Sequence, residues 1–166
     1  MTEKTILFIA DFFADEVSGG GELNNEVLIK ILFDRGYTIR SVNSHQVSHS
    51  DILHNDNIIV ANFVKLSEEN KIEIQNKNYI IYEHDHKYLK SRDPGLYTNY
   101  KAPKDQIINK EFYQNAKAIF GQSNFHAEII KKNLNIDSVV NLSGNLWSEE
   151  HLQLLEEMNA VEKIDK

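Results

Sequence analysis

Short apolar runs alternate along the chain with stretches in which apolar residues recur every three or four positions. The runs at residues 5–10 and 79–82 are rich in β-branched or aromatic side chains, which is typical of strands that are buried on both faces. Four further strands are predicted at residues 37–42, 57–63, 117–123 and 138–142. The strand at 79–82 is the most informative one, because it ends abruptly in the polar sequence Glu83-His84-Asp85-His86.

Helices are predicted between these strands. The clearest one stops at Arg35-Gly36 and places five apolar residues on one stripe: Leu23, Val27, Leu28, Ile31 and Leu32. Others are predicted at 67–76, 103–116 and 125–134, the last with Ser123 or Asn124 as its cap. This alternation predicts an α/β domain of the doubly wound, Rossmann-like class, with a mostly parallel sheet of about six strands and helices on both faces.

Two segments lack periodicity. Residues 43–57 are polar and predict a surface loop or a short irregular helix. Residues 87–104 contain both prolines and have a net charge of +4, from Lys87, Lys90, Arg92, Lys101 and Lys104 against Asp93. A loop of this length inside a compact domain is usually functional or mobile.

Composition excludes several classes of protein. The 166 residues suffice for one complete domain, and the net charge of −7 argues against a general nucleic-acid binder. The absence of cysteine excludes disulfides and thiolate metal sites and fits a cytoplasmic protein. Asp11 interrupts the apolar run at 6–13, which favours a first strand over a signal peptide, and no run approaches the ~20 residues of a membrane span.

The three consecutive glycines Gly19, Gly20 and Gly21 stand between the first strand and the first helix. Glycines at this place let the backbone approach an anion, which the free N–H groups of the helix N-terminus stabilise. The sequence is neither the dinucleotide fingerprint nor a Walker motif. A plain turn that needs positive φ is the alternative interpretation.

The polar cluster after the fourth strand has three interpretations. Histidines at positions i and i+2 of an extended chain project to one side, so His84 and His86 could ligate a metal, with Asp85 or His126 completing the set. A single histidine or aspartate poised beside a ligand is the interpretation we favour, because the pKa of histidine lies near neutral pH. A strand end with exposed polar residues is the third.

These features together suggest a family. The glycine loop with Glu22, the strand ending in Glu83-His84-Asp85-His86, and the segment Phe-Gly-Gln-Ser-Asn-Phe-His at 120–126 resemble the N-terminal half of GT-B glycosyltransferases. More narrowly, the chain resembles the group 1 retaining type over about residues 4–147. Members of that family have two Rossmann-like domains, of which the first binds mainly the acceptor and the second binds the nucleotide sugar.

The resemblance implies roles for individual residues. Gly19, Gly20 and Gly21 would lie near the donor pyrophosphate, and His84 and Asp85 would be catalytic, near the transferring sugar. The implied acceptor side consists of Glu22, His86, Lys87, Arg92, Ser123, Asn124 and His126. A nucleotide sugar and a glycosyl acceptor are the implied ligands, with no bound cofactor and no metal.

The chain departs from this family because it lacks a second, donor-binding domain. Residues 1–147 correspond to the first domain, and residues 148–166 form an amphipathic tail helix or a truncated interdomain linker, with Leu152, Leu154, Leu155, Met158 and Val161 as its apolar residues. We therefore expect no catalysis unless a partner chain or a homodimer supplies the missing half. A non-catalytic binding or interaction module that docks through the tail, and a metal-dependent hydrolase using His84 and His86, are the alternatives.

Overall fold

The computed structural model describes residues 5–160 and confirms the predicted α/β class. Its six strands are β1 (Thr5–Ala10), β2 (Thr38–Asn43), β3 (Asn57–Val60), β4 (Asn78–Tyr82), β5 (Ala118–Gly121) and β6 (Val139–Asn141). They form one sheet in the order β2-β1-β3-β4-β5-β6, and each neighbouring pair is parallel.

The helices cover both faces of the sheet, as the alternating pattern predicts. They are α1 (Gly20–Asp34), α2 (His49–Leu53), α3 (Glu68–Ile74), α4 (Lys110–Gln114), α5 (Asn124–Leu134) and α6 (Glu149–Ala160). The larger core cluster joins α2 to α5 to one face, for example through Ile52, Ile74, Phe112 and Ile130. The smaller cluster joins Leu28, Ile29 and Leu32 of α1 to the other face, against Phe8 and Ile59.

The strand order creates a crevice at one edge of the sheet. The chain passes from β1 outward to β2 and then crosses back to β3 on the other side of β1. Connections leave the carboxyl ends of β1 and β3 in opposite directions, and ligands of doubly wound domains bind at such a switch point. The functional residues predicted from the sequence follow β1, β4 and β5 at this same edge.

Serine hydroxyls cap the N-termini of α2, α3 and α5. Ser67 accepts a hydrogen bond from Asn70 N (3.1 Å) at the start of α3. Of the two candidates for α5, Ser123 is the cap, because its Oγ accepts from His126 N (3.1 Å). The segment predicted as a loop or short irregular helix contains α2, which begins with a complete capping box between Ser48 and Asp51.

The predicted helix over 103–116 is wrong in extent. Only α4 is helical, preceded by a separate 3-10 turn at Lys104–Gln106. Between them Ile107 forms an antiparallel bridge with Leu89, and Ile108 N donates to Tyr88 O (2.8 Å). Asn109 then takes a left-handed conformation (φ 54°), which interrupts any helix at that point.

The basic segment 87–104 is built from short turns. Two 3-10 turns, Pro94–Leu96 and Thr98–Tyr100, follow the bridge residue Leu89. The tail helix is present as α6, although Val161 of its predicted stripe lies outside the described residues. Within residues 5–160, none of the helices combines the length and the apolar character that a membrane span requires.

Candidate functional site

The glycine loop and the histidine after β4 meet at the carboxyl edge of the sheet. A Cβ atom built on Gly21 would lie 3.5 Å from Asn62 Nδ2 and 3.6 Å from His84 Cγ. The loops that follow β1, β3 and β4 therefore converge on one point. The sequence prediction that these two features share an edge is confirmed.

None of the three glycines has a positive φ, and only at Gly19 would a Cβ atom clash with a neighbouring side chain. Gly19 is the N-cap of α1 with φ −110°, so the turn interpretation does not apply to it. A Cβ on Gly19 would collide with Glu22 Oε2, because that carboxylate folds back over the first turn of the helix. Glu22 Oε1 also accepts from Asn62 Nδ2 (3.2 Å). Glu22 thus places a negative charge at the helix N-terminus, where a phosphate would otherwise be favoured.

His84 is held by protein groups on both ring nitrogens. Its Nε2 lies 3.0 Å from Asn25 Oδ1, and its Nδ1 lies 2.8 Å from Gln122 Nε2. A neutral ring that donates from Nε2 and accepts at Nδ1 satisfies both contacts. Burial, followed by the charge of Lys87, lowers the pKa of His84 to about 4. The ring is therefore neutral and fixed at pH 7, and its proton is free for exchange only when Asn25 or Gln122 moves.

Asp85 is the accessible carboxylate of the cluster. Its side chain is 44% exposed and forms ion pairs with Lys87 Nζ and with Arg92 Nη1, the latter at 3.2 Å. Both cations are predicted acceptor-side residues, but they differ in exposure. Lys87 is buried and neutralised by acidic groups, whereas the Arg92 side chain is 52% exposed. Of these two cations, Arg92 is the one that faces solvent.

Glu83 is the central buried charge of the site, and the sequence analysis did not assign it a role. It accepts hydrogen bonds from the Tyr113 hydroxyl and from Asp85 N (2.9 Å), and Lys87 Nζ lies 3.5 Å from its Oε1. Burial by itself would raise the pKa of Glu83, but Lys87, Tyr113 and Asp85 N together lower it to about 2. Its position directly after a buried strand was the available signal.

His86 and His126 form a pair of neutral rings beside His84. The ring centroids are 4.5 Å apart, and His86 Nδ1 lies 2.8 Å from the Tyr88 hydroxyl. Burial lowers the pKa of both histidines, to about 4 for His86. Because His86 has φ 56°, the chain is not extended there, so the extended geometry from which the same-side projection of His84 and His86 was predicted is absent. Residues 5–160 contain no group of three or more side chains arranged to hold a metal ion.

Three buried polar atoms around this edge lack a hydrogen-bond partner: Asn25 Nδ2, Asn62 Oδ1 and His126 Nε2. Asn25 is fully buried and His126 is 9% exposed. A buried donor or acceptor without a partner is costly and is therefore uncommon in folded proteins. Their concentration beside the glycine loop and the histidines is what a site for a polar ligand provides.

Asp11 connects the loops at the switch point by hydrogen bonds. It is a second residue whose role was not predicted from the sequence. Its carboxylate accepts hydrogen bonds from Ser44 Oγ, Val64 N (2.9 Å) and Lys65 N (3.0 Å). It therefore links the ends of β1 and β2 to the loop after β3. The available signal was a carboxylate directly after a buried strand.

The remaining predicted residues lie on the outer side of the same edge. Ser123 and Asn124 are exposed, and Asn124 Oδ1 accepts from Asn141 Nδ2 (2.7 Å). Lys87 and Arg92 line a cleft of about 830 Å³ between α3, α4 and the basic segment. Phe63 lies in this cleft with Lys87 Nζ 5.9 Å from its ring centroid.

Comparison with known proteins leaves the family open. No family model matches the chain. No curated protein matches it either. One similar solved structure is a flavodoxin from Streptococcus pneumoniae TIGR4, with 16% sequence identity, 92% coverage of both chains and a TM-score of 0.37. The fold assignment therefore rests on the sheet order and the helix positions, and the chemistry rests on the site itself.

Proposed function

We propose that the chain is a glycosyltransferase-like N-terminal domain, the acceptor-side half of a nucleotide-sugar-dependent transfer site, and that it is inactive alone. The observation that carries this proposal is the contact between Gly21 and His84, surrounded by unpartnered amide and imidazole atoms. A sugar offers hydroxyl groups that both donate and accept, which would match Asn25 Nδ2, Asn62 Oδ1 and His126 Nε2 after a rearrangement that exposes these buried atoms.

Phosphate proximity is supported by the start of α1. The first N–H groups of that helix, from Gly20 onward, have no partner one turn earlier in the helix and favour an anion. The Glu22 carboxylate occupies this position. A bound phosphate would have to displace it, so anion affinity of the isolated domain is expected to be weak.

Transfer needs two faces, and this chain provides one. The leaving phosphate and the acceptor hydroxyl must be held together in reacting geometry. Asp85, paired with Arg92, is the exposed carboxylate available to an acceptor hydroxyl. A donor-binding partner domain would supply the opposite face, which is why we expect binding without turnover.

A second candidate function is a non-catalytic binding module. One observation favours it: both nitrogens of His84 are occupied by protein groups. A histidine in that state orients its neighbours and performs no proton transfer. The two candidates share a ligand-binding edge and differ in whether a partner domain ever activates it.

Calorimetric titration with nucleoside diphosphates, nucleotide sugars and simple sugars tests the site. A Cβ at Gly21 would already be in van der Waals contact with Asn62 and His84, so the methyl groups of Gly21→Val would crowd this point and should reduce affinity at least about tenfold, which corresponds to about 1.4 kcal/mol. Gly20→Val is the matched control in the same helical turn, because a Cβ at Gly20 meets nothing within 4 Å. Absence of binding by the unaltered chain to every ligand class, or equal affinities of the two variants, would refute the proposal.

A further inference from the structure

The sheet face that carries α1 is only partly covered. In residues 5–160, the helices α2, α3, α4 and α5 contribute to the core cluster on the opposite face. Six strands at about 4.8 Å spacing span about 24 Å, whereas a helix with its side chains is about 10–12 Å across. One helix therefore leaves roughly half of this face uncovered.

The uncovered part is an apolar groove. It has a volume of about 660 Å³ and lies between Leu32 of α1 and the side chains of Ile59, Ile80, Ala118 and Phe120. Val140 is in register with Phe120, so it extends the same face, and it is 43% exposed. Lys117 lines the groove and is the positive charge on its border.

Helix α6 is amphipathic and has no covering partner among the described residues. Its apolar side chains are between 48% and 64% exposed: Leu152, Leu154, Leu155 and Met158. On a helix these residues share one side with His151, and the acids Glu149, Glu150, Glu156 and Glu157 occupy the other. Twelve residues give a length of about 18 Å, comparable with the strands of the groove.

The start of α6 is fixed by its own chain in a position that leaves the groove open. Leu146 N donates to Asn24 Oδ1 (2.7 Å), and His151 N donates to Ser148 Oγ (3.2 Å). With these anchors in place, the leucines of α6 stay exposed and do not enter the groove beside α1. The chain thus has an amphipathic helix whose apolar side is exposed, and an apolar groove that no helix of the same chain fills.

We propose that the occupant of the groove is α6 of a second copy of this chain. A two-fold dimer would make this contact twice, with each helix in the groove of its partner. With the apolar side of α6 in the groove, its acidic side would face solvent, and an acid at the margin of that side would be the one able to reach Lys117 on the groove border. Because each chain has a net charge of −7, self-repulsion should make the dimer weaker at low ionic strength.

Sedimentation velocity on the full chain over a micromolar concentration series tests this arrangement. The unaltered chain should dimerise, and Leu155→Asp should weaken the dimer at least about tenfold. Gln153→Asp adds the same charge on the polar side of α6 and should leave the dimer intact. Because Leu155 is exposed, far-UV circular dichroism and thermal melting of the variant at monomeric concentrations should match the unaltered chain.

Mixing experiments distinguish α6 bound in the groove of a second copy from α6 bound in the groove of its own chain. Val140→Asp, on the sheet face that continues from the groove, should also be monomeric. A mixture with Leu155→Asp should recover a weaker heterodimer, through the one pairing of an unaltered α6 with an unaltered sheet face. A monomeric unaltered chain overturns the proposal, as does a dimer that Leu155→Asp leaves unchanged. Loss of monomer stability in Leu155→Asp would overturn it too, because it would show that α6 packs on its own sheet.

Discussion

The charges of the site are organised around one buried residue, Glu83. A buried carboxylate is tolerated only when it is paired and hydrogen-bonded, and Lys87, Tyr113 and Asp85 N supply those contacts. Lys87 is thereby placed between Glu83 and Asp85, and its ammonium forms an ion pair with each. The buried pair Glu83 and Lys87 therefore positions the exposed residue Asp85.

Removing the charge of Glu83 should therefore be costly. We expect Glu83→Gln to lower the free energy of unfolding by about 3 kcal/mol, because Lys87 would keep its buried charge with one partner fewer. Urea denaturation measures this. Glu68→Gln is the matched control, since Glu68 pairs with Lys71 but its side chain is 80% exposed, and it should cost less than about 1 kcal/mol. Equal effects would show that the Glu83 charge is not the organising one.

The buried neutral His84 should make the protein sensitive to acid. Its folded pKa of about 4 lies below the unfolded value of 6.5, so the unfolded chain takes up a proton first as the pH falls. The stability contribution is complete above pH 6.5 and is lost towards pH 4, by up to about 3 kcal/mol. His86 contributes a further loss of stability in the same pH range, and Glu83 contributes a loss as the pH falls below 4.5.

Unfolding free energies measured between pH 7 and pH 4 test this expectation. His84→Asn should show a shallower decline than the unaltered chain, whatever its absolute stability. His54→Asn serves as control, because His54 lies at the exposed end of α2 and hydrogen-bonds only within that turn. A decline of the same slope in His84→Asn would contradict the assignment of a depressed pKa to His84.

At the scale of elements, periodicity predicted the strands and the long helices but not where they end. Strands β3 and β5 are shorter than the runs predicted at 57–63 and 117–123. Strand pairing stops where the chain leaves the sheet and enters the loops of the candidate site. The helix predicted at 103–116 fails for a specific reason. Ile108 has helical spacing with Phe112, yet the bridge between Ile107 and Leu89 holds this part of the chain extended. Such tertiary pairing leaves no local trace in the sequence.

Asn109 marks the junction and gives a sharp test. It is left-handed (φ 54°), its Oδ1 accepts from Lys71 Nζ (2.9 Å), and its Nδ2 donates to Lys87 O (2.9 Å). Asn109→Gly loses the side-chain contacts only, whereas Asn109→Ala also has to adopt an unfavourable φ. We expect the alanine variant to be less stable than the glycine variant by about 1 kcal/mol, as judged by denaturation midpoints. The reverse order would argue against a left-handed residue at this junction.

At the scale of the whole molecule, the sequence predicted the architecture and the edge where chemistry gathers. Parallel strands bring their carboxyl ends together, so the glycine loop and His84 could be placed side by side without coordinates. The side-chain contacts of individual site residues could not be predicted in this way. Nothing local indicates that Gln122 and Asn25 occupy both nitrogens of His84, or that Glu22 covers Gly19, since these contacts join distant parts of the chain.

The predicted boundary at residue 147 has a measurable consequence. The core clusters on both faces contain no residue of α6, and the contact of Leu146 N with Asn24 lies before the boundary. A chain ending at residue 147 should therefore unfold within about 1 kcal/mol of the full chain when both are compared at concentrations where the full chain is monomeric. At high concentration the full chain should gain stability and the shortened chain should not, because only the former can bury the leucines of α6. A large loss at every concentration would mean that α6 belongs to the folded domain itself, and the boundary would have to move beyond it.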